Sequence, residues 1–497
     1  MNAVLKESTS DISALYARMA ANAPKLREAT AQQRVEKIRR LFKAIMDARG
    51  AILEAGRKEL RLVDVDVDAQ LLMVKSEADY ITANLASWMQ RQDVPGTIMS
   101  VGKKCYIQYE PKGVVLHVST WNAPIAEAFV PAFGAIAAGC AFCLKPSELA
   151  PLSAQVLADI VAKVFRDDEF AVVNGAADVA QELLRQPFNH IFYIGGHAVG
   201  RIIMKAAAEH FATVTLEMGG KNPVIVDKSA DVEDAAKKIA WGRVCNAGQV
   251  CLAPDYALVH ESVKDQFIAS LGKAMSAMYN ADGQGYQKSE YLPRIVNARH
   301  FQRIKALIDD AVAKGARIDH GGQTDERDLF IAPTILSNIK PEMKIMQDEI
   351  FGPILCVLSF RDREEVPREI GKRPKPLGSY IFAKDREAID WFLTHTTSGS
   401  SSVNHNVIQA GINPRLPFGG ANASGMGRLG GHFTFLECSN ARAVVEDGPA
   451  MWGVDPDMMY PPYSKKYKDN IAFMVNKGIN PPAWLIATLN KLVSLRK

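Results

Sequence analysis

From Gly113 onward the chain alternates short apolar runs with helical stretches, and few folds accept that rhythm. GVVLHVS (113–119), AFCLKPS (141–147), FAVVNG (170–175) and HIFYIGG (190–196) have the length and composition of strands. Stretches 126–139, 152–165 and 178–185, lying between them, read as helices. Alternation of this kind predicts a doubly wound α/β sheet, in which ligands sit beyond the carboxyl ends of the strands. A second series predicts a second α/β domain, entered near residue 218. Its candidate strands are NPVIVD (222–227), YALVH (256–260), PTILSN (333–338), PILCVLSF (353–360) and SYIFA (379–383), and its candidate helices are 262–278, 298–314 and 385–395. Residues 11–60, with Val35, Ile38, Leu41, Phe42 and Ile45 at helical spacing, predict amphipathic helices in front of both.

The length of 497 residues allows two or more domains with large buried cores. A net charge of +4, with 48% apolar and 23% charged residues, suits a soluble protein and argues against a nucleic-acid partner. The seven cysteines are few, odd in number and scattered, so no disulfide framework is expected and a reducing, cytoplasmic setting is. The amino terminus carries Glu7, Asp11 and Glu28 without a continuous apolar core, unlike a targeting signal.

Several stretches carry candidate chemistry. In FYIGGHAVGRII (192–203), Gly195, Gly196 and Gly200 fall where a strand turns into a helix, either a plain strand–helix turn or one whose backbone amides approach a pyrophosphate. LKPSELAP ends another strand with Lys145 and Glu148, and a carboxylate there can accept hydrogen bonds from ribose hydroxyls. Glu217, in TVTLEMGGKNP, closes an apolar run beside two glycines, where it is either an N-cap or turn residue or a general base suited by a raised pKa. Asn122, in a turn after the first strand, can donate to a developing oxyanion or simply stabilise the turn before Pro124. Glu349 in DEIFGPI reads by default as a hairpin residue. CAFC (140–143) has the spacing of a zinc or redox pair, but no second Cys/His pair accompanies it, so buried structural cysteines are expected and no metal. CNAGQVC (245–251) leaves open which of Cys245 and Cys251, if either, is reactive.

Taken in chain order, TWNAP, LKPSE, the GGxxxG turn, EMGGK, NAGQVC, EIFGP and PFGGANASGMG resemble the aldehyde dehydrogenase family from about residue 10 to residue 463. GAIAAGCAFCLKPSEL, AAAEHFATVTLEMGGKNP, CLAPDY, ARHFQRI and MYPPY resemble its class-three branch of fatty and aromatic (coniferyl-type) aldehyde dehydrogenases. The resemblance implies a Rossmann-like cofactor domain (1–93 and 111–217), an α/β catalytic domain (218–410), a small bridging and oligomerisation sheet (94–110 and 411–450) and a tail (451–497). It implies NAD(P)-dependent oxidation of a medium- or long-chain aliphatic or aromatic aldehyde to the acid. Cys251 would be the nucleophile, Asn122 and the Cys251 N–H would hold the oxyanion, and Glu217 would activate the hydrolytic water. Lys145 and Glu148 would hold the adenosine ribose, Gly195, Gly196 and Gly200 the cofactor turn, and Glu349 and Phe351 the nicotinamide end. NAD is the expected cofactor, NADP is also compatible, and a homodimer is expected. An acyl transfer to coenzyme A, a non-catalytic homologue and a cysteine hydrolase are the alternatives.

Two departures from the family pattern stand out. Ile194, Gly195 and Gly196 replace a common Thr-Gly-Ser, which leaves phosphate contacts to backbone amides. WNAPI replaces the bulkier WNYPF, which would widen the substrate passage and suit a larger apolar substrate. Beyond MYPPY, PPAWLIATLNKLVSLRK (481–497) has the composition of an interfacial helix, for a membrane, a partner subunit, the entrance to the site or the protein's own surface.

Overall fold

A computed structural model describes residues 9–97, 100, 103–447, 460–477 and 488. The tail helix expected over 481–497 lies outside the described residues, apart from Thr488. The chain divides into two compact units, one running to Leu85 and then over Pro111–Cys438, the other made of Ala86–Glu110 and the residues from Ser439.

The first unit contains two large sheets. Its six-stranded sheet has the order Gly425–Met426, Thr213–Met218, His190–Gly195, Val114–Val118, Ala141–Lys145 and Phe170–Val172, parallel except for Gly425–Met426. Every residue of Val114–Val118 and Ala141–Lys145 is buried, as a parallel sheet covered by helices on both faces requires. The chain moves outward from Val114–Val118 on one side, then returns to place His190–Gly195 on the other. Strand order therefore reverses between these two strands. At such a switch point the loops diverge and leave a crevice, here between Ser119–Asn122 and Gly195–Gly196.

The seven-stranded sheet has the order Arg317–His320, Thr334–Ser337, Ile354–Phe360, Tyr256–His260, Pro223–Val226, Gly378–Phe382 and Ser400–Val403, with only the first pair antiparallel. Two apolar clusters cover its faces, one around Phe301, Ile304, Ile354 and Ile381, the other around Ile239, Phe267, Val259 and Leu355. The segments entering its strands, Gly219–Asn222, Cys251–Asp255, Glu349–Pro353 and Leu377, come from the amino ends of those strands. Sequence alternation located both sheets, and every strand it proposed from 113 to 383 forms.

In the second unit Gln92–Asp93, Lys103–Pro111 and Ser439–Asp447 form a three-stranded sheet, with Tyr106 donating to Glu446 at 2.8 Å. Residues 411–438, expected in the bridge, fold with the first unit. The reason is local: Gly425 and Met426 pair with Glu217 and Leu216, while Thr434 packs against Gly134 of helix Pro124–Ala138. Residues 86–93, expected with the cofactor domain, belong to the second unit. Among the described residues no helix is long and apolar enough to cross a membrane.

Candidate active site

The crevice at the switch point opens into a cavity of about 230 Å³. Asn122, Gly195, Gly196, Glu217, Cys251, Glu349 and Phe351 all line it, together with Thr120, Trp121, Glu127, His300, Arg303 and Phe418. Seven of the residues selected from sequence thus converge on one space. Lys145, Glu148 and Gly200 do not line it. Lys145 ends the neighbouring strand, opposite Val118, and its ammonium pairs with Glu148 at 2.7 Å. Gly200 instead lets the helix His197–Glu209 lie against Met218.

The two cysteines separate cleanly. Cys245 caps the carboxyl end of helix Val232–Val244, donates to the Gly242 carbonyl at 3.5 Å and stays away from the cavity. Cys251 faces it. Between them Asn246, Ala247 and Gly248 all adopt left-handed backbone, with φ of 48°, 52° and 73°. For Ala247 that costs about 1–2 kcal/mol, so the turn needs outside support. Support comes from Arg243, fully buried, which donates to the carbonyls of Gly248 (2.8 Å) and Pro254 (2.6 Å) and to Asp255 (2.7 Å). Gln249 donates to the carbonyls of Asn246 (3.1 Å) and Arg294 (2.9 Å), and Asn222 donates to the Cys251 carbonyl at 2.7 Å. At a net 0.5–1.5 kcal/mol each, and more for the charged ones, these bonds outweigh the strain. A side chain on Gly248 would meet the Gly352 carbonyl 2.4 Å away, so only glycine fits there.

Asp255 joins the motifs. It accepts from Arg243, from Lys221 at 3.1 Å and from the Ile350 amide at 3.1 Å, tying EMGGK, NAGQVC and EIFGP into one buried network. No hairpin forms at Glu349. That residue sits in an irregular loop held by Arg303, which donates to the carbonyls of Glu349 (3.3 Å) and Ile350 (2.7 Å). The first glycine after Glu217 serves Glu349: a Cβ on Gly219 would lie 1.9 Å from its carboxylate.

Electrostatics in the cavity favour neutral groups. Burial first, then the charge of Glu127, holds Glu217 well above the usual carboxylate range, against smaller opposing effects of Arg428 and the Gly420 amide. Burial likewise raises Glu349 to about 8 and Glu127 to about 7. Burial, with Glu127, Glu349 and Glu217 adding in that order, pushes the Cys251 thiol well above its ordinary value. Asn122 is fixed by donation from its amide to the Gln249 carbonyl at 3.0 Å, while Asn246 donates to its backbone carbonyl at 3.0 Å. A side-chain amide has two N–H groups, so one is left to face the cavity.

Within WNAPI, Ile125 is buried and Ala123 does not line the cavity; the same helix reaches it with Glu127. Glu127 was missed by sequence reasoning, although it is the one charged residue in PIAEAFVPAFGAIAA. Trp121, edge-on to Phe351 at 5.7 Å, and Arg303 were also missed, because side-chain meetings across the fold leave no local signal. Cys140 and Cys143 are buried, and among the described residues no group of His, Cys, Asp and Glu is arranged to hold a metal.

A doubly wound sheet whose switch point meets a second α/β sheet over a cysteine, an amide and buried carboxyls describes a nucleotide-dependent enzyme that acts covalently. The aldehyde dehydrogenase family profile matches residues 2–444, and the chain belongs to that family. It is an oxidoreductase acting on aldehydes with NAD(P), of the class-three-like branch. The chain is 36% identical over 90% of its length to aldehyde dehydrogenase family 3 member A2 of Rattus norvegicus, covering 90% of that protein. It is 36% identical over 89% of its length to the 4,4'-diaponeurosporen-aldehyde dehydrogenase of Staphylococcus aureus, covering 95% of it. It is similar to the solved substrate-bound state of Staphylococcus aureus AldH, with a TM-score of 0.87, 35% identity and coverage of 95% of this chain and all of that one.

Proposed function

We propose that Cys251 attacks the aldehyde and that the acyl group leaves by hydrolysis; the convergence of Cys251, Asn122 and Glu217 on one cavity carries this reading. The Cys251 thiolate adds to the carbonyl carbon, and the second Asn122 N–H with the Cys251 amide stabilises the oxyanion. When bound, the nicotinamide accepts the hydride released as the carbonyl re-forms. Glu217 then deprotonates the water that cleaves the thioester, a task that suits a buried carboxyl with a raised pKa.

The cofactor would lie along the switch point. Gly196 precedes helix His197–Glu209 without a side-chain cap, and an added Cβ there meets nothing within 4 Å. Its surroundings therefore fit a pyrophosphate against free backbone amides. Lys145 and Glu148 would take the ribose, and Glu349 and Phe351 the nicotinamide end. The cofactor and catalytic domains would be built on the six- and seven-stranded sheets respectively. An adjoining cavity of about 50 Å³, lined by Met73, Val130, Leu416 and Phe418 among others, suits the apolar body of an aliphatic or aromatic aldehyde.

A cysteine hydrolase is the weaker reading. His300 lines the same cavity, but burial, then Arg303 and Arg299, lower it to about 4, too acidic to draw a proton from Cys251. The discriminating assay is product analysis with a panel of aldehydes, with and without NAD, NADP and coenzyme A. Free acid formed in step with nicotinamide reduction, and independent of coenzyme A, is expected; turnover without nicotinamide, or an acyl-coenzyme A product, would overturn it. A cytoplasmic homodimer is the expected state. One 39% identical relative, from Canis lupus familiaris, carries the name dimeric NADP-preferring aldehyde dehydrogenase. Sedimentation velocity should return twice the chain mass, and a monomer would contradict it.

A further inference from the structure

Glu127 lines both the cavity that holds Cys251 and the adjoining one, which lies behind Phe418. It stands in the first turn of helix Pro124–Ala138, whose other residues are apolar or small. Its backbone carbonyl accepts from His117 at 2.8 Å, but no group among the described residues hydrogen-bonds to its carboxyl. The second carboxyl of the adjoining cavity differs. Glu77 accepts from the Gly431 amide at 2.6 Å and is already satisfied. Among the described residues no Lys, Arg or His lines that cavity to neutralise Glu127 there.

A hydrocarbon substrate filling the passage would displace water from this carboxyl and leave it without a partner, which is costly. The position matters as much as the chemistry. Because Glu127 borders the Cys251 cavity itself, its partner must sit on the portion of the substrate close to the reacting carbon. Resting on the reading of Cys251 as nucleophile, we propose that Glu127 is a specificity-determining residue that selects aldehydes bearing a hydrogen-bond donor, a hydroxyl or an amine, over equally sized hydrocarbons. Burial raises its pKa to about 7, so near neutral pH both forms are present, and either form offers an oxygen that accepts. Sites built to bond a substrate O–H or N–H discriminate against the analogue that lacks it, since the protein group is then stranded.

Matched pairs test this with the full-length enzyme and NAD. The ratio of kcat/KM for 3-hydroxypropanal to that for butanal reads the hydroxyl, and 3-aminopropanal against butanal reads the amine. The parent enzyme should favour the donor-bearing member of at least one pair by about ten- to a hundredfold, the worth of a hydrogen bond to a charged group. Glu127→Leu should remove that preference. Glu127→Gln retains an acceptor oxygen without the charge, so it should keep part of a hydroxyl preference and lose an amine preference. No preference in the parent, or the same ratios in all three proteins, would overturn the assignment. So would a uniform fall for both members of each pair, which would mark a proton-transfer role instead. If Glu127→Leu does not fold, the parent and Glu127→Gln ratios decide. Turnover that survives Cys251→Ala would overturn the underlying site reading, whereas unchanged ratios with Cys251-dependent turnover would overturn the Glu127 assignment alone.

Discussion

Cys251→Ala should abolish aldehyde-dependent nicotinamide reduction, lowering kcat by about four orders of magnitude or more, as loss of a covalent nucleophile does. Cofactor binding, followed by fluorescence, should remain close to that of the parent protein. The expectation follows from placement: Cys251 lines the cavity with Asn122 and Glu217, while its carbonyl, and not its thiol, carries the bond from Asn222. Cys245→Ala is the control. Its thiol donates to the Gly242 carbonyl and does not line the cavity, so turnover should persist. Equal loss in both variants would show that the segment, and not one thiol, had been disturbed.

Glu217→Gln should lower kcat by about two to four orders of magnitude while leaving the first turnover largely intact. Without the base, the acyl group stays on Cys251, so one equivalent of reduced nicotinamide per site should appear in a burst before a slow steady rate. The pH dependence has a definite sign. Glu217 works as a base only when ionised, and its pKa is raised well above the ordinary carboxylate value by burial and by Glu127. The parent's kcat should therefore fall as pH drops through that raised pKa, rather than near pH 4.5. In Glu217→Gln this limb should vanish from the steady state. A limb that remains in the burst belongs to the other titrating groups of the cavity, the Cys251 thiol, Glu349 and Glu127. Glutamine is nearly isosteric, so the buried packing beside Gly419 is preserved.

The sheets were legible in sequence because their strands announce themselves: an apolar run of five or six residues between helical stretches is a local signal. Motifs at strand ends were legible for the same reason and singled out Glu217 and Asn122, whereas the choice of Cys251 and the cofactor role of Glu349 rested on the family resemblance. What the sequence hid is three-dimensional. The choice between Cys251 and Cys245 turns on three successive left-handed residues, and those depend on Arg243 reaching across to Gly248, Pro254 and Asp255. Gly425–Met426 looked like part of a glycine-rich loop, yet it completes the first sheet against Glu217, a pairing across about two hundred residues of chain that no periodicity reveals. Glu127 had a readable signal, a lone charge in an apolar helix. Its meaning appeared only when the helix was seen to border both cavities.

The central claim is that the substrate passes through a thioester on one named sulfur. The direct measurement is to mix Glu217→Gln with aldehyde and NAD, quench in acid at the end of the burst, and locate the added acyl mass by peptide mass spectrometry. The account predicts one acyl group per chain, on the peptide bearing Cys251 and removed by hydroxylamine. An acyl group on Cys245 or another residue, or a completed burst with no adduct on any cysteine, would contradict it.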